Sequence, residues 1–214
     1  MVLAGIGNLY KDRRQMRDGN IHEIIRQDSL EHMKTERLSR ETVAKGAIIT
    51  YCHDRIKTPA GHECVYDFLE HPGAAAALPV LDDGRIVMVR QYRNALDRFT
   101  LEIPAGGLNG RNEDTKDAAL RELKEETGFE AGKCSYLLTV DPTVAYGNEK
   151  IDIYVAADLK KSERALDEDE YINVEAWSVE DLAELILAGK IRDAKTCAAV
   201  MTWDHIVKSG KIPF

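Results

Sequence analysis

The sequence predicts an α+β fold, a mixed β-sheet with helices on both faces. Three observations predict it. Short apolar or alternating runs bounded by turn residues dominate the first two thirds of the chain. One strong helix, with its own start signal at Asp114 or Thr115 and stop signal at Gly128, interrupts them. Two amphipathic helices close the sequence, an order that suits a layered packing of helices on a sheet.

Residues 1–32 are polar, with a basic cluster Lys11-Asp12-Arg13-Arg14 and a weakly amphipathic Ile21–Ile25; disorder or a loose helix is expected there. Residues 1–43 are read as an N-terminal extension, 44–208 as the domain and 209–214 as a tail. Strands are expected from Ala44, over Gly46–His53 and Glu63–Glu70, around a turn at Thr58-Pro59-Ala60-Gly61. Ala74–Leu81 and Arg85–Arg93 flank Asp82-Asp83-Gly84 and read as a hairpin. Leu101–Pro104, Tyr136–Val140, Ile151–Ala156 and Tyr171–Ser178 complete the strands, with loops at Asp141–Lys150 and Glu163–Glu170. Val179–Ala188, ended by Gly189, and Asp193–Lys208, ended near Gly210, read as helices.

Composition narrows the function. The net charge of −8 leaves no broad basic field to hold nucleic acid. No apolar run approaches the length of a membrane span. Cys52, Cys64, Cys134 and Cys197 are scattered without a C-x-x-C pair, which fits reduced thiols in a cytoplasmic protein. The six histidines show no metal spacing, and His71 beside Pro72 reads as structural. An acidic protein of this kind that handles an anionic substrate needs local positive charge, from a metal or a few arginines.

The central helix carries the chemistry. Asp114 or Thr115 can cap its start, and Gly128 stands where a left-handed C′ residue belongs. Glu122, Glu125 and Glu126 share one stripe in the last turns, at the negative end of the helix dipole. Like charges at this spacing cost about 0.2–0.5 kcal/mol per pair. Arg121 can relieve Glu125 alone, so the stripe calls for a cation. Hard divalent ions take oxygen ligands, and Mg2+ favours a few carboxylates plus substrate phosphates.

The full pattern from Gly107 to Phe129 is Gly-x5-Glu-x7-Arg-Glu-Leu-x-Glu-Glu-x-Gly-Phe. It resembles the Nudix box, with Phe129 where an aliphatic residue is usual. Glu70-His71-Pro72-Gly73, Gln91-Tyr92-Arg93, Leu101–Gly106 and Lys190–Thr196 extend the resemblance to the ADP-ribose pyrophosphatase branch of that family. The resemblance implies the Nudix fold, an alpha/beta/alpha sandwich, and Mg2+-dependent cleavage of the diphosphate of ADP-ribose or a similar nucleoside diphosphate sugar, with Mn2+ as a substitute metal. Another sugar nucleotide such as GDP-mannose is the alternative substrate, and a non-catalytic ADP-ribose sensor the alternative class. By the same resemblance Glu122 and Glu126 are principal metal ligands, Glu125 a third, and a backbone carbonyl of Ala105-Gly106 a further one. Arg93 matches a diphosphate-contacting arginine and Glu102 a carboxylate that meets substrate or metal waters. Glu149, in the loop after Pro142, is the candidate general base, Arg121 orients Glu125, and Glu113 braces loop and helix. A homodimer with exchanged strands is also implied.

Three departures qualify this pattern. The loop before Glu113 carries one extra residue, so Gly106 or Gly107 can be counted as its first glycine. Pro142 lies nearer the box than the branch usually places it. Tyr66-Asp67 replaces an Arg-Glu pair; Tyr66 is a candidate for stacking on a base, or a plain strand residue.

Overall fold

The structure is a computed structural model that describes residues 27–110, 112–166 and 170–214. The basic cluster at Lys11–Arg14 and the amphipathic stretch at Ile21–Ile25 lie outside them. The chain divides into two compact units, one of the residues through Thr42 with His53–Asp67, the other of Val43–Cys52 with Phe68–Phe214.

Three strands, β1 (Glu36–Lys45), β2 (Thr50–Lys57) and β3 (Glu63–Glu70), form one sheet in the order β1-β2-β3 and supply most of the smaller unit's regular structure. Strand structure thus begins inside the stretch read as an extension; every residue of β1 is exposed, so no apolar alternation announced it. Within this unit Arg40 grips Asp54 with both ends of its guanidinium, at 2.5 and 2.6 Å. That hydrogen bond holds the Asp54 carboxyl below its ordinary range.

The larger unit holds the rest. Strand β4 (Ala74–Pro79) is central to a four-stranded sheet ordered β7-β4-β9-β8, with β7 at Ala105–Gly107, β8 at Phe129–Val140 and β9 at Ile151–Lys161. β4 runs parallel to β9 and antiparallel to β7, so the sheet is mixed. A second, antiparallel sheet is ordered β10-β5-β6, from β5 (Ile86–Arg93), β6 (Arg98–Glu102) and β10 (Ile172–Trp177). The helices are α1 (Thr115–Thr127), α2 (Val179–Leu187) and α3 (Ala194–Ser209).

Strand periodicity explains the layers. On β4, Ala75 and Ala77 face α1 and meet Ala118, Ala119 and Leu123. Ala74, Ala76 and Leu78 point to the other side, where Ile151, Ile153 and Val155 of β9 join Leu182 of α2, Val200 and Trp203 of α3 and Met88 of β5. The four-stranded sheet therefore lies between α1 and a layer containing α2, α3 and the second sheet. Ala75 and Ala77, two of four successive buried alanines on β4, let α1 approach closely.

Several strand expectations change. The strand expected over Gly46–His53 starts only at Thr50 and runs on to Lys57, after bends at Ala47 and Ile48, and the one expected over Leu101–Pro104 runs Arg98–Glu102. The turn at Asp82–Gly84 forms, with Gly84 at φ 85°, but the strands it joins part company after a single bridge between Val80 and Ile86. Each enters a different sheet. β8 starts at Phe129, directly after α1, and not at Tyr136. Its first half is an edge on which Phe129 and Ala131 pack inward while Glu130, Gly132 and Lys133 are exposed, too short an apolar alternation to mark a strand.

Candidate active site

Helix α1 places its carboxylates by local rules. Asp114 is its N-cap, accepting from the backbone N–H of Lys116 at 2.9 Å and of Asp117 at 3.2 Å. Gly128 closes it at φ 71°. With Ala118, Ala119 and Leu123 pinned against the sheet, Glu122 and Glu126 are turned inward and buried, Glu126 to 2% exposure. Burial, and then the charge of Glu122, push the Glu126 carboxyl up to about 8. Burial likewise raises Glu122, against the pull of Arg121.

The loop before the helix is fitted around these groups. Ala105 N–H donates to Glu126 at 3.1 Å. Gly106 lies so near Glu122 that a Cβ there would sit 2.2 Å from its carboxyl carbon. Gly106→Ala must displace the Glu122 carboxylate, and we expect kcat/KM to fall by about 10²-fold or more with stability less affected. Steady-state kinetics alongside a thermal melt check this; unchanged turnover would show the carboxylate position to be irrelevant.

Arg121 does more than relieve Glu125. One terminal nitrogen reaches Glu122 at 2.6 Å and Glu125 at 3.0 Å. Its Nε meets Glu113 at 3.1 Å, and its other terminal nitrogen donates to the Gly107 carbonyl at 3.1 Å. Glu113 also accepts from Asn109 N–H, so it braces the loop against the helix. These carboxylates hold the Arg121 guanidinium above its ordinary range despite the opposing effect of burial. Among the described residues no three acidic, histidine or cysteine side chains gather about one point. The cause is visible: Arg121 stands between Glu122 and Glu125 as an internal cation. It also occupies the Gly107 carbonyl, which leaves the Ala105-Gly106 segment as the nearer source of a backbone ligand. Glu126 has no ion pair among the described residues. Two buried carboxylates that favour protonation, with oxygen donors around them, form a donor set that fits a hard divalent cation.

These groups line a cleft of about 700 Å³, together with Arg93, His71, Pro142, Glu149 and Lys195. Arg93 ends β5 and is clamped to Glu102 by two hydrogen bonds of 2.8 Å. Glu102 also accepts from Thr100 at 2.7 Å and from Lys195. Burial favours its neutral form, but the Arg93 hydrogen bond and the charges of Lys195 and Arg93 prevail and hold it at about 2. Glu102 is thus fully engaged and does not line the cleft; it orients Arg93, which does. Glu149 is partly buried in the cleft and forms no ion pair among the described residues. Its loop is tied down by Asn148, which accepts from His71 N–H at 2.8 Å, and by a bridge from Gly147 to Leu69. His71 accepts from Gly73 N–H at 3.0 Å, the structural role expected of it. Tyr66 sits on β3 in the smaller unit with about half its surface exposed (53%).

Sequence reasoning missed Lys195, Asp193 and Glu170 as cleft residues. Lys195 is buried to 7% exposure and bonds Asp193 at 3.0 Å. A signal existed: a lysine in the first turn of α3 lies at the positive end of the helix dipole, where a cation is disfavoured. Glu170 follows an acidic loop with no periodicity to single it out, and its charge helps to raise Glu122 and Glu126.

Comparison with known proteins agrees with this geometry. Residues 70–200 match the NUDIX domain family. An ADP-ribose pyrophosphatase of Bacillus subtilis is 33% identical over 80% of this chain and 93% of its own. A methanol dehydrogenase activator of Bacillus methanolicus is 35% identical over 76% of this chain and 89% of its own. The crystal structure of an ADP compounds hydrolase superposes with a TM-score of 0.73 at 25% identity, covering 84% of this chain and 97% of that one. The chain belongs to the Nudix hydrolase family and has its fold. It is thus an enzyme of the Nudix hydrolase class, and its relatives include ADP-ribose pyrophosphatases.

Proposed function

We propose that the chain is a Mg2+-dependent pyrophosphohydrolase that cleaves the diphosphate of ADP-ribose, giving AMP and ribose 5-phosphate. The observation that carries the reading is the pair of buried carboxylates, Glu122 and Glu126, set in one cleft with the clamped guanidinium of Arg93. Glu122, Glu125, Glu126 and a carbonyl of the Ala105-Gly106 segment would hold the metal. When bound, Mg2+, or Mn2+ in its place, neutralises the diphosphate and lowers the pKa of a water. Arg93, held rigid by Glu102, presents a preorganised fork to a phosphate. Water adds to phosphorus, the anhydride P–O bond breaks to leave two phosphates, and Glu149 takes the proton.

Glu149→Ala should lower kcat by about a hundredfold while leaving metal affinity intact; an unchanged rate would return Glu149 to the status of a loop charge. A homodimer is also proposed, supported by the fully exposed β1. Gel filtration should then give twice the 24.0 kDa chain mass; elution as a single chain would exclude it. The four free cysteines support a cytoplasmic setting.

The deciding experiment is a hydrolysis panel of ADP-ribose, GDP-mannose, UDP-glucose and NADH with Mg2+, products identified. ADP-ribose should lead by about tenfold, worth about 1.4 kcal/mol in the transition state. Preference for another sugar nucleotide would keep the chemistry and replace the substrate. Binding of ADP-ribose without turnover would favour a sensor.

A further inference from the structure

The larger unit holds a second hollow, of about 710 Å³, that shares Arg93, Asp193 and Lys195 with the cleft. Its lining carries five cations, Arg93, Arg98, Lys190, Arg192 and Lys195, against two carboxylates, Glu102 and Asp193. Both carboxylates are already taken. Glu102 is held by Arg93 and Lys195, and Asp193 by Lys195 and by the first turn of α3, where Thr196 N–H donates to it at 3.0 Å. Among the described residues Arg98, Lys190 and Arg192 form no ion pair.

Such an excess needs a reason in a chain whose net charge is −8. Acidic residues are plentiful, yet among the described residues none pairs with Arg98, Lys190 or Arg192. Arg98 is partly buried and stands directly opposite Arg93 in the β5–β6 register, where like charges repel. A concave site lined by one sign of charge concentrates the opposite ion. At its rim Phe99 leaves 66% of its surface exposed, and its ring is fixed edge-on by Tyr92 at a centroid distance of 5.5 Å. A rigid, solvent-facing aromatic beside three free cations suits a planar base joined to a phosphate. The volume is that of a small-molecule site.

We propose that this cavity is a second ligand site, for a nucleoside monophosphate. Arg98, Lys190 and Arg192 receive the phosphate, and Phe99 supports the base. The inference rests on charge and shape, not on the reaction proposed above, although AMP has the required chemistry.

The test is calorimetric titration of AMP, and separately of inorganic phosphate, into the metal-free full chain carrying Glu126→Gln. Lys190→Gln/Arg192→Gln, at exposed positions, should weaken both ligands by about tenfold or more and leave the kcat of the otherwise wild-type enzyme unchanged. Arg98→Gln should act in the same direction. Phe99→Ala should weaken AMP but spare inorganic phosphate. Affinities unchanged by all three variants, or no saturable binding of either ligand, would overturn the proposal. So would a change of oligomeric state in Lys190→Gln/Arg192→Gln with AMP affinity retained, which would assign the cavity to a second copy of the chain. Loss of all pyrophosphate hydrolysis with AMP binding retained would sink the catalytic reading and leave this one standing.

Discussion

Glu126→Gln should abolish turnover and, without metal, make the protein more stable at alkaline pH. The kinetic half follows from the donor set: a buried carboxylate is exchanged for a neutral amide of the same shape. Loss of several kcal/mol of charge stabilisation lowers kcat/KM by about a thousandfold or more. The stability half follows from the raised carboxyl of Glu126, about 8 in the folded chain against 4.5 ordinarily. A raised folded-state pKa stabilises below the unfolded value and loses that contribution as pH climbs through the folded one. Between about pH 4.5 and 8 the metal-free wild type should therefore weaken progressively, while the glutamine variant is spared. At pH 8.5 the variant should be ahead by on the order of 2 kcal/mol. On the proposed ligand set, saturating Mg2+ should reverse the order, because the glutamine variant lacks one of the carboxylates that would hold it. Melts at several pH values, with and without Mg2+, check all three statements. A metal-free variant no more stable than wild type at pH 8.5 would mean that Glu126 carries no burial penalty.

Glu102→Ala should be the most destabilising single change near the cleft. The carboxylate is 3% exposed and is shared by Arg93 and Lys195. Removing it leaves the buried Lys195 facing the partly exposed Arg93, and screening of Arg93 by solvent brings the cost to about 2–3 kcal/mol. Urea denaturation at neutral pH measures the loss. The sign with pH is opposite to that of Glu126. Glu102 is depressed to about 2, so its contribution is present above about pH 4.5 and vanishes as pH falls toward 2. The two proteins should converge in that window. A neutral-pH difference below about 1 kcal/mol would show that the ion cluster is solvated in solution. Arg93 loses its clamp as well, so kcat/KM should drop by about a hundredfold.

The parts of this molecule legible in its sequence are those with local causes. The ends of α1 were readable because Asp114 and Gly128 each act within one turn. Glu63–Glu70 was readable from the turn residues before it and Pro72-Gly73 after it. The early start of β8 was not, since only Phe129 and Ala131 turn inward there before Gly132 and Lys133 break the alternation. Nor was β1, exposed along its whole length. The hairpin at Asp82–Gly84 shows another limit: the turn is local, but which sheet each strand joins is not. At the site, the carboxylate stripe followed from helical spacing. The reach of Arg121 to Glu113 and to the Gly107 carbonyl depends on how the preceding loop folds back, which spacing does not record. Lys195 could have been flagged by its place at the unfavourable end of α3, the mirror image of the argument that singled out the glutamates of α1.

Arg121 has a consequence for the life history of the chain. Small zinc-dependent domains are unfolded until their ion arrives, because nothing else offsets their ligand repulsion. Here a built-in guanidinium bridges Glu122 and Glu125 while Glu126 is relieved by holding its proton. A newly synthesised molecule is therefore able to complete its core in a cell starved of divalent metal and wait, intact and silent. A chelator should switch such an enzyme off without melting it, and restoring the ion should revive it without refolding.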